Sequence, residues 1–145
     1  MPPIDEYKCK KCGFTLPEGW GMYFYVVDDK GRRIVCGHPG ERRKVEEVLG
    51  KKATLELIRE RTGFNSDCIC LSCLHQFPAN LGESGWSPFG DFTAPIGARV
   101  RPSKDKRECP KCKSIKVKTV FEMVGETCPK CKEGIIEQIW TGLVS

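Results

Sequence analysis

Two kinds of hydrophobic periodicity mark the first half of the chain. The segments MYFYVV (22–27) and RRIVC (32–36) are rich in aromatic and β-branched residues, and the polar turn DDKG lies between them. This pattern predicts a β-hairpin. From 41 to 63, apolar residues recur at helical spacing, which predicts an amphipathic helix. Gly50 is expected to split that helix, and Gly63 is expected to cap its C-terminus.

The pattern is less regular in the second half. Residues 78–102 contain four prolines and four glycines, together with Trp86, Phe89 and Phe92. Proline and glycine disfavour regular elements, whereas the aromatic residues disfavour a free linker, so we expect an irregular segment packed on one domain. After position 109, two apolar runs predict short strands. These runs are Val117, Val120 and Phe121, and then Ile135, Ile136, Ile139 and Trp140.

The composition limits the size of any hydrophobic core. The chain has 145 residues, of which 39% are hydrophobic and 30% are charged, so crosslinks are expected to supplement the core. Neither a secretory signal nor an apolar run of about 20 residues is present, which favours a cytoplasmic protein without membrane association. In a reducing compartment, clustered cysteines usually bind metal instead of forming disulfides.

Eight of the ten cysteines form four C-x-x-C pairs. Each pair presents two sulfurs from one tight turn, and a pair of strands would bring two such turns face to face. Four thiolates would then surround one ion tetrahedrally, as zinc prefers. The last two pairs have the spacing C-x2-C-x15-C-x2-C and predict one site at Cys109, Cys112, Cys128 and Cys131. Residues 109–140 therefore resemble the zinc-ribbon superfamily, and the resemblance implies a small β-module that is stabilised by Zn²⁺.

The segment YKCKKCGF (7–14) also resembles a zinc-ribbon or rubredoxin knuckle. Its natural partner is another C-x-x-C pair, and one such pair remains, so a second site is expected at Cys9, Cys12, Cys70 and Cys73. The predicted hairpin and helices would then be inserted between the two halves of this ribbon. Rubredoxin-like iron is the less favoured metal, because Leu74 stands where such a knuckle usually has glycine.

Two cysteines and both histidines are left over: Cys36, His38, Cys68 and His75. They could form a third site, so we expect two or three Zn²⁺ ions per chain. They could instead be structural side chains, since a buried cysteine often behaves as a small apolar residue. A different pairing is also open. It joins Cys9 and Cys12 to Cys36 and His38, and it leaves Cys68, Cys70, Cys73 and His75 as a compact site.

These predictions combine into a small metal-stabilised α+β fold. It consists of two zinc-ribbon-like β modules, and the first module contains an inserted β-hairpin and helices. We expect an N-terminal zinc-binding module at 1–77, a Pro/Gly/aromatic segment with a basic arm at 78–108, and a C-terminal zinc ribbon at 109–145.

The net charge of +5 is unevenly distributed, because residues 99–118 hold nine basic and only two acidic side chains. Such an arm could neutralise the phosphates of a nucleic acid, although a solvated basic surface would look the same in sequence. The nearby aromatic residues could stack on bases, but a packed aromatic cluster is the more ordinary outcome. The residues predicted to bind nucleic acid are Arg99, Arg101, Lys104, Lys106, Arg107, Lys111 and Lys113.

No signature of catalysis is present. The chain lacks the nucleophile-elbow, P-loop and dinucleotide fingerprints, and a closed set of four thiolates leaves no position for water on zinc. Cys36 and His38, with Glu41 close by, resemble a more open site, but Glu41 is more simply an acid in the first turn of a helix. We predict no catalytic residues.

We therefore expect a multi-zinc binding protein that associates with nucleic acid, or with a ribonucleoprotein or transcription complex. One alternative is a protein-interaction subunit of a larger assembly. The other is a rubredoxin-like or thiol-based redox protein.

Overall fold

The structure is a computed structural model, and it describes residues 3–82 and 103–144. These ranges form a small α+β fold that is mostly sheet with a few short helices. Within them, no helix is long and apolar enough to cross a bilayer. The elements in chain order are β1 (Pro3–Cys9), β2 (Thr15–Gly19), β3 (Met22–Val27), β4 (Arg33–Cys36), α1 (Glu41–Leu49), α2 (Leu55–Arg61), β5 (Thr62–Cys70), β6 (Gln76–Ala79), β7 (Val117–Thr119), α3 (Val120–Met123) and β8 (Ile136–Val144).

The chain forms two compact units, and their boundaries differ from the predicted segments 1–77, 78–108 and 109–145. The first unit combines Met1–Met22, Ser66–Ala79 and Lys106–Ser145, and the second combines Tyr23–Asn65 and Asn80–Asp105. Strand pairing is the reason for the difference, because β1 pairs with β8 and β5 pairs with β7. These pairings draw the two ends and the middle of the chain into one unit.

The first unit repeats one arrangement of three antiparallel strands. In one copy, β1 lies between β2 and β8. In the other, residues 66–70 of β5 lie between β6 and β7. Each central strand ends at a cysteine, Cys9 in β1 and Cys70 in β5. The same strand order therefore leads into two different C-x-x-C turns.

One hydrophobic core lies beside these strands in the first unit. It contains large buried side chains such as Tyr7, Ile69 and Met123, and it also contains Cys9 and Cys128. Burial of apolar surface and any metal bound by these two cysteines therefore stabilise the same region.

The second unit contains the predicted hairpin and the predicted helix pair. β3 and β4 pair antiparallel from Phe24 opposite Cys36 to Val27 opposite Arg33. The helical pattern breaks at Gly50, which has a φ of +92°. A separate core forms here from buried residues of both helices and both strands. These residues are Phe24, Val26, Cys36, Val45 and Ile58.

Gly63 does not cap a helix. α2 ends at Arg61, and Gly63 lies inside β5. A Cβ atom at position 63 would lie 2.6 Å from the Tyr25 hydroxyl oxygen and 2.6 Å from the Asn80 amide nitrogen. The glycine is therefore explained by close packing around a strand, and not by the end of a helix.

The apolar run after Cys109 is only partly a strand. Val117 lies in β7, but Val120 and Phe121 lie in α3. Thr119 starts this short helix with a capping box: its hydroxyl accepts a hydrogen bond from the Glu122 N–H, and the Glu122 carboxylate accepts one from the Thr119 N–H. A local cap thus overrides the strand preference of Val120. The second predicted run forms strand β8 from Ile136 onward, and Ile135 makes an isolated bridge with Thr127 just before it.

The predicted irregular segment at 78–102 lies mostly outside the described residues, and so do Trp86, Phe89 and Phe92. The residues that flank 83–102 meet in the second unit. The Asn80 N–H donates to the Asp105 carboxylate at 2.7 Å, and the Asp105 N–H donates to the Asn80 carbonyl at 3.1 Å. Arg33 donates two further hydrogen bonds to Asp105, at 2.7 and 2.8 Å. Chiefly through these Arg33 bonds, the pKa of Asp105 lies below its usual value.

Replacing Asp105 by asparagine should destabilise the second unit by about 1–3 kcal/mol, because it weakens charge-assisted hydrogen bonds to Arg33. Since the pKa of Asp105 is lowered in the folded protein, the stabilisation is complete at neutral pH and is lost as pH falls through the lowered value. Hydrogen exchange at the amides of Tyr23–Asn65 measures the effect.

Asp29→Asn is the matched control for this substitution. The Asp29 side chain is 93% exposed and lies 3.3 Å from Arg61, so its loss should cost about 0.5 kcal/mol or less. Equal amide protection in the two variants would contradict a structural role for Asp105.

Candidate metal centres

The four C-x-x-C turns share one backbone conformation. In each turn, the carbonyl of the first cysteine accepts a hydrogen bond of 2.9 or 3.0 Å from the N–H four residues later. The residue that donates this bond is left-handed, with φ of +79° at Gly13, +63° at Leu74, +64° at Lys113 and +63° at Lys132. Left-handed backbone is ordinary for glycine but costs other residues about 1–2 kcal/mol. Leu74 therefore adopts the conformation of the glycine that a rubredoxin knuckle usually has at this position.

Strand register brings these turns together in pairs. Cys9 at the end of β1 lies opposite Ile136, which begins β8 just after the fourth turn. Cys70 in β5 lies opposite Val117, which begins β7 just after the third turn. The first turn therefore faces the fourth, and the second faces the third.

The paired turns form two clusters of four thiols. Site A consists of Cys9, Cys12, Cys128 and Cys131, and site B consists of Cys70, Cys73, Cys109 and Cys112. In each site the four sulfurs lie within 4.8 Å of one another. All eight thiols are free.

The sulfur spacing matches a tetrahedral metal site. Across the two turns of site A, the Sγ–Sγ distances are 3.8 Å (Cys9 to Cys131) and 3.7 Å (Cys12 to Cys128). In site B they are 3.5 Å (Cys70 to Cys112) and 3.6 Å (Cys73 to Cys109). Four sulfurs at about 2.3 Å from a central zinc would be about 3.8 Å apart, whereas a disulfide needs about 2.05 Å. Each site could hold one metal ion.

The eight cysteines predicted as two four-thiolate sites are all in these clusters, but they are grouped differently. The prediction joined Cys109 and Cys112 to Cys128 and Cys131, and Cys9 and Cys12 to Cys70 and Cys73. In the structure, each of those sets is divided between site A and site B. The physical reason is that β7 pairs with β5 while β8 pairs with β1, so the third and fourth turns are carried by different sheets.

The predicted third set is not brought together. Cys36 and His38 belong to the second unit, whereas Cys68 and His75 belong to the first. Each has a local contact instead. Cys36 is a buried member of the second core, and His38 Nδ1 lies 2.6 Å from Glu41. Cys68 contacts the Ser66 carbonyl, and His75 stacks on Phe77. The alternative pairings are not formed either, since the described residues group their metal-binding side chains only as sites A and B.

Glu41, which follows Cys36 and His38 in the chain, has the helix position that the sequence predicted. It is a buried acid in the first turn of α1, and its carboxylate accepts a hydrogen bond from the Gly40 N–H. Desolvation by burial, and then the charge of Glu41, raise the pKa of Cys36 to about 11. A thiol with this pKa stays protonated at neutral pH, as is usual for a cysteine in a hydrophobic core.

Within each site the thiols differ in acidity. Backbone N–H groups of Gly134 and Glu133 lower the pKa of Cys131 to about 6. Burial raises the pKa of Cys70, but N–H groups of Cys73 and Ser72 outweigh it and bring the value to about 6. A backbone N–H of Ser114 favours the Cys112 thiolate, yet desolvation and the neighbouring cysteines raise its pKa to about 12. A metal ion must therefore displace protons as it binds.

Gly134 is a site residue that the sequence analysis missed. Its N–H donates to Cys131 Sγ at 3.3 Å, and a Cβ atom at this position would collide with Cys9 Sγ and lie 2.9 Å from Lys11 Cβ. The feature of the sequence that could have indicated Gly134 is its position shortly after a C-x-x-C pair. The collision could not be foreseen, because Cys9 lies at the other end of the chain.

The residues predicted to bind nucleic acid fall into three groups. Arg99 and Arg101 lie outside the described residues. Lys104 Nζ donates to the Glu60 and Thr62 carbonyls, and Arg107 donates two hydrogen bonds to Glu122, so these two cations already have partners. Lys106, Lys111 and Lys113 are exposed.

Comparison of the chain with protein-family models, curated proteins and solved structures finds no match.

Paired substitutions distinguish the two groupings of cysteines. Cys9→Ser with Cys131→Ser should remove one of two bound metal ions, because both residues belong to site A. Cys109→Ser with Cys131→Ser should remove both ions, because it damages each site. Native mass spectrometry counts the bound ions. As a control, Cys36→Ser should leave both ions bound. The grouping predicted from sequence requires the opposite result from the two double variants.

Gly134→Ala should weaken metal binding at site A about tenfold or more, because relieving a collision beside Cys9 costs about 1–3 kcal/mol. Titration against a chromophoric chelator measures the affinity of each site. Gly37→Ala is the control, since a Cβ atom there has nothing within 4 Å. Unchanged affinity in Gly134→Ala would show that the two turns of site A are not this close.

Proposed function

We propose that the protein is a two-zinc scaffold that associates with nucleic acid, or with a ribonucleoprotein or transcription complex. The observation that carries the scaffold role is the composition of the two clusters, which are closed sets of four thiols without a histidine or carboxylate member. Sites of this type bind zinc structurally and leave no coordination position for a reacting water. A binding role is therefore better supported than catalysis.

Zn²⁺ is the proposed metal for both sites. A tetrahedral set of four sulfurs suits zinc, although iron can also take four cysteine ligands. Because Cys9 and Cys128 belong to the core of the first unit, removal of the metal should loosen that core as well as the turns. Metal binding and folding of the first unit are thus coupled.

The nucleic-acid role is supported by charge that no neighbouring acid neutralises. In the described part of the chain, Lys106, Lys111 and Lys113 are exposed and have no acidic group within 4.0 Å. A nucleic acid binds such lysines through its phosphates and releases counterions as it does so. Lys104 and Arg107 are engaged in hydrogen bonds within the protein, so the proposed contact rests on the other three lysines.

The zinc-loaded protein should bind labelled RNA or DNA with an affinity that falls steeply as salt is added. A plot of the logarithm of the binding constant against that of the salt concentration should have a slope of about −2 to −4, as expected for three or four phosphate contacts. Fluorescence anisotropy measures the binding, and elemental analysis should report two zinc ions per chain. Absence of binding at low salt would refute the nucleic-acid role, and iron in place of zinc would favour the redox alternative.

A second candidate is a docking subunit of a larger assembly. Among the described strands β8 lies at one edge of its sheet, and Trp140, Leu143 and Val144 on it are 64%, 59% and 52% exposed. Exposed apolar side chains on a sheet edge suit a protein partner. A stoichiometric partner that survives nuclease and high salt during purification would favour this candidate.

A further inference from the structure

The two metal sites differ in the charge that surrounds them. Around site A, residues 8–14 and 126–137 contain five basic and three acidic side chains. Around site B, residues 70–76 and 106–118 contain six basic and one acidic side chain, and one of the six, Arg107, is paired with Glu122 just outside this range. Two sites with the same ligands and the same turn geometry therefore lie in clearly different electrostatic surroundings.

Two lysines beside site A have acidic partners from the segment that follows the fourth turn, whereas Lys130 and Lys132 on that turn are exposed and have no acidic group within 4.0 Å among the described residues. Lys11 Nζ lies 2.7 Å from the Glu133 carboxylate, and Lys10 Nζ lies 3.8 Å from that of Glu137. Beside site B, Lys111, Lys113 and Lys116 are exposed, and among the described residues none has an acidic group within 4.0 Å. The turn that faces them, 70–75, has no acidic residue to offer.

The positive charge around site B exceeds what would neutralise the negative charge of a zinc–thiolate site. A zinc ion with four thiolates carries a net charge of about −2. That charge roughly balances the surplus of basic residues around site A. Around site B it leaves a positive surplus, to which the exposed Lys111, Lys113 and Lys116 contribute.

This turn is also held firmly and presents groups suited to a ligand. The Leu71 N–H donates to the Lys116 carbonyl at 2.8 Å, and the Ser72 and Ser114 hydroxyls are hydrogen-bonded at 2.8 Å. Ile115, between the lysines, is 77% exposed. A rigid turn with three exposed ammonium groups, two surface hydroxyls and one apolar side chain offers contacts to phosphates and to a base or sugar.

From these observations we propose that the site B surface, defined as Ser72, Lys111, Lys113, Ser114, Ile115 and Lys116, binds the phosphate backbone of a nucleic acid, and that site A does not. This inference rests on the proposed function and assigns it to one of the two metal sites. The lysines bind phosphates, and Ile115 contacts a base or sugar. A rigid turn with one apolar residue lacks the amphipathic helix that a membrane-surface protein would use.

The test compares two triple variants with equal loss of charge. One is Lys111→Gln, Lys113→Gln and Lys116→Gln at site B. The other is Lys11→Gln, Lys130→Gln and Lys132→Gln at site A, where Lys132 occupies the same left-handed position as Lys113. Anisotropy is measured with a short labelled RNA and a short labelled DNA duplex over a range of salt, and native mass spectrometry confirms that both variants keep two metal ions.

The site B variant should bind about tenfold more weakly or worse, and its salt slope should fall by about two to three. The site A variant should change affinity about threefold or less. Ile115→Ala should weaken binding without a change in slope, because it removes no charge. Equal losses in the two triple variants, or a larger loss at site A, would overturn this assignment while the proposed function stood.

Two further outcomes concern the class of ligand. If the unmodified protein binds neither probe at low salt, both this assignment and the nucleic-acid role fail. If polyglutamate of matched charge competes as well as the nucleic acid does, the surface is a general polyanion site, and the assignment to nucleic acid is overturned.

Discussion

A metal ion in site A would join the first C-x-x-C turn of the chain to the last, because Cys12 and Cys128 are 116 positions apart and their sulfurs are 3.7 Å apart. Site B joins Cys73 to Cys109 across only 36 positions. Closing the longer loop alone costs about 1 kcal/mol more chain entropy than closing the shorter one. Site B lies inside the loop of site A, however, so its closure shortens the remaining path. The two sites are nested crosslinks, and the rest of the first unit is arranged around them.

The metal sites and the hydrophobic core of the first unit support each other. Cys9 and Cys128 are fully buried beside Tyr7 and Ile136, so the sulfur atoms form one wall of that core. In three of the four turns a non-glycine residue adopts left-handed backbone, at about 1–2 kcal/mol each. A structural zinc ion contributes about 10–16 kcal/mol of apparent binding free energy in small zinc-dependent domains. Metal coordination of that size would readily offset the backbone strain of the turns.

Duplication of one strand arrangement explains why the two sites resemble each other in geometry and differ in surface. In both, a central strand ends at a cysteine and pairs with the strand that follows the opposite turn. Coordination constrains only the sulfurs and the backbone that holds them. The residues that flank the turns are free to vary: Glu133 and Glu137 pair with Lys11 and Lys10 beside site A, whereas Lys111, Lys113 and Lys116 beside site B have no acidic partner within 4.0 Å among the described residues. Equal metal sites can therefore carry unequal surfaces.

Local patterns in the sequence were sufficient for the elements and ligand types that depend on neighbouring residues. The β3–β4 hairpin, the helix break at Gly50 and the eight clustered cysteines followed from such patterns. β1 and β5 were missed, because charged residues and cysteines interrupt their alternation. The grouping of the cysteines was decided by tertiary structure alone, since all four C-x-x-C turns are locally equivalent and only strand pairing selects their partners. Tertiary structure likewise determined that a Cβ atom at position 134 would collide with Cys9. It also determined the hydrogen bonds of Lys104 and Arg107, because their partners are distant in sequence.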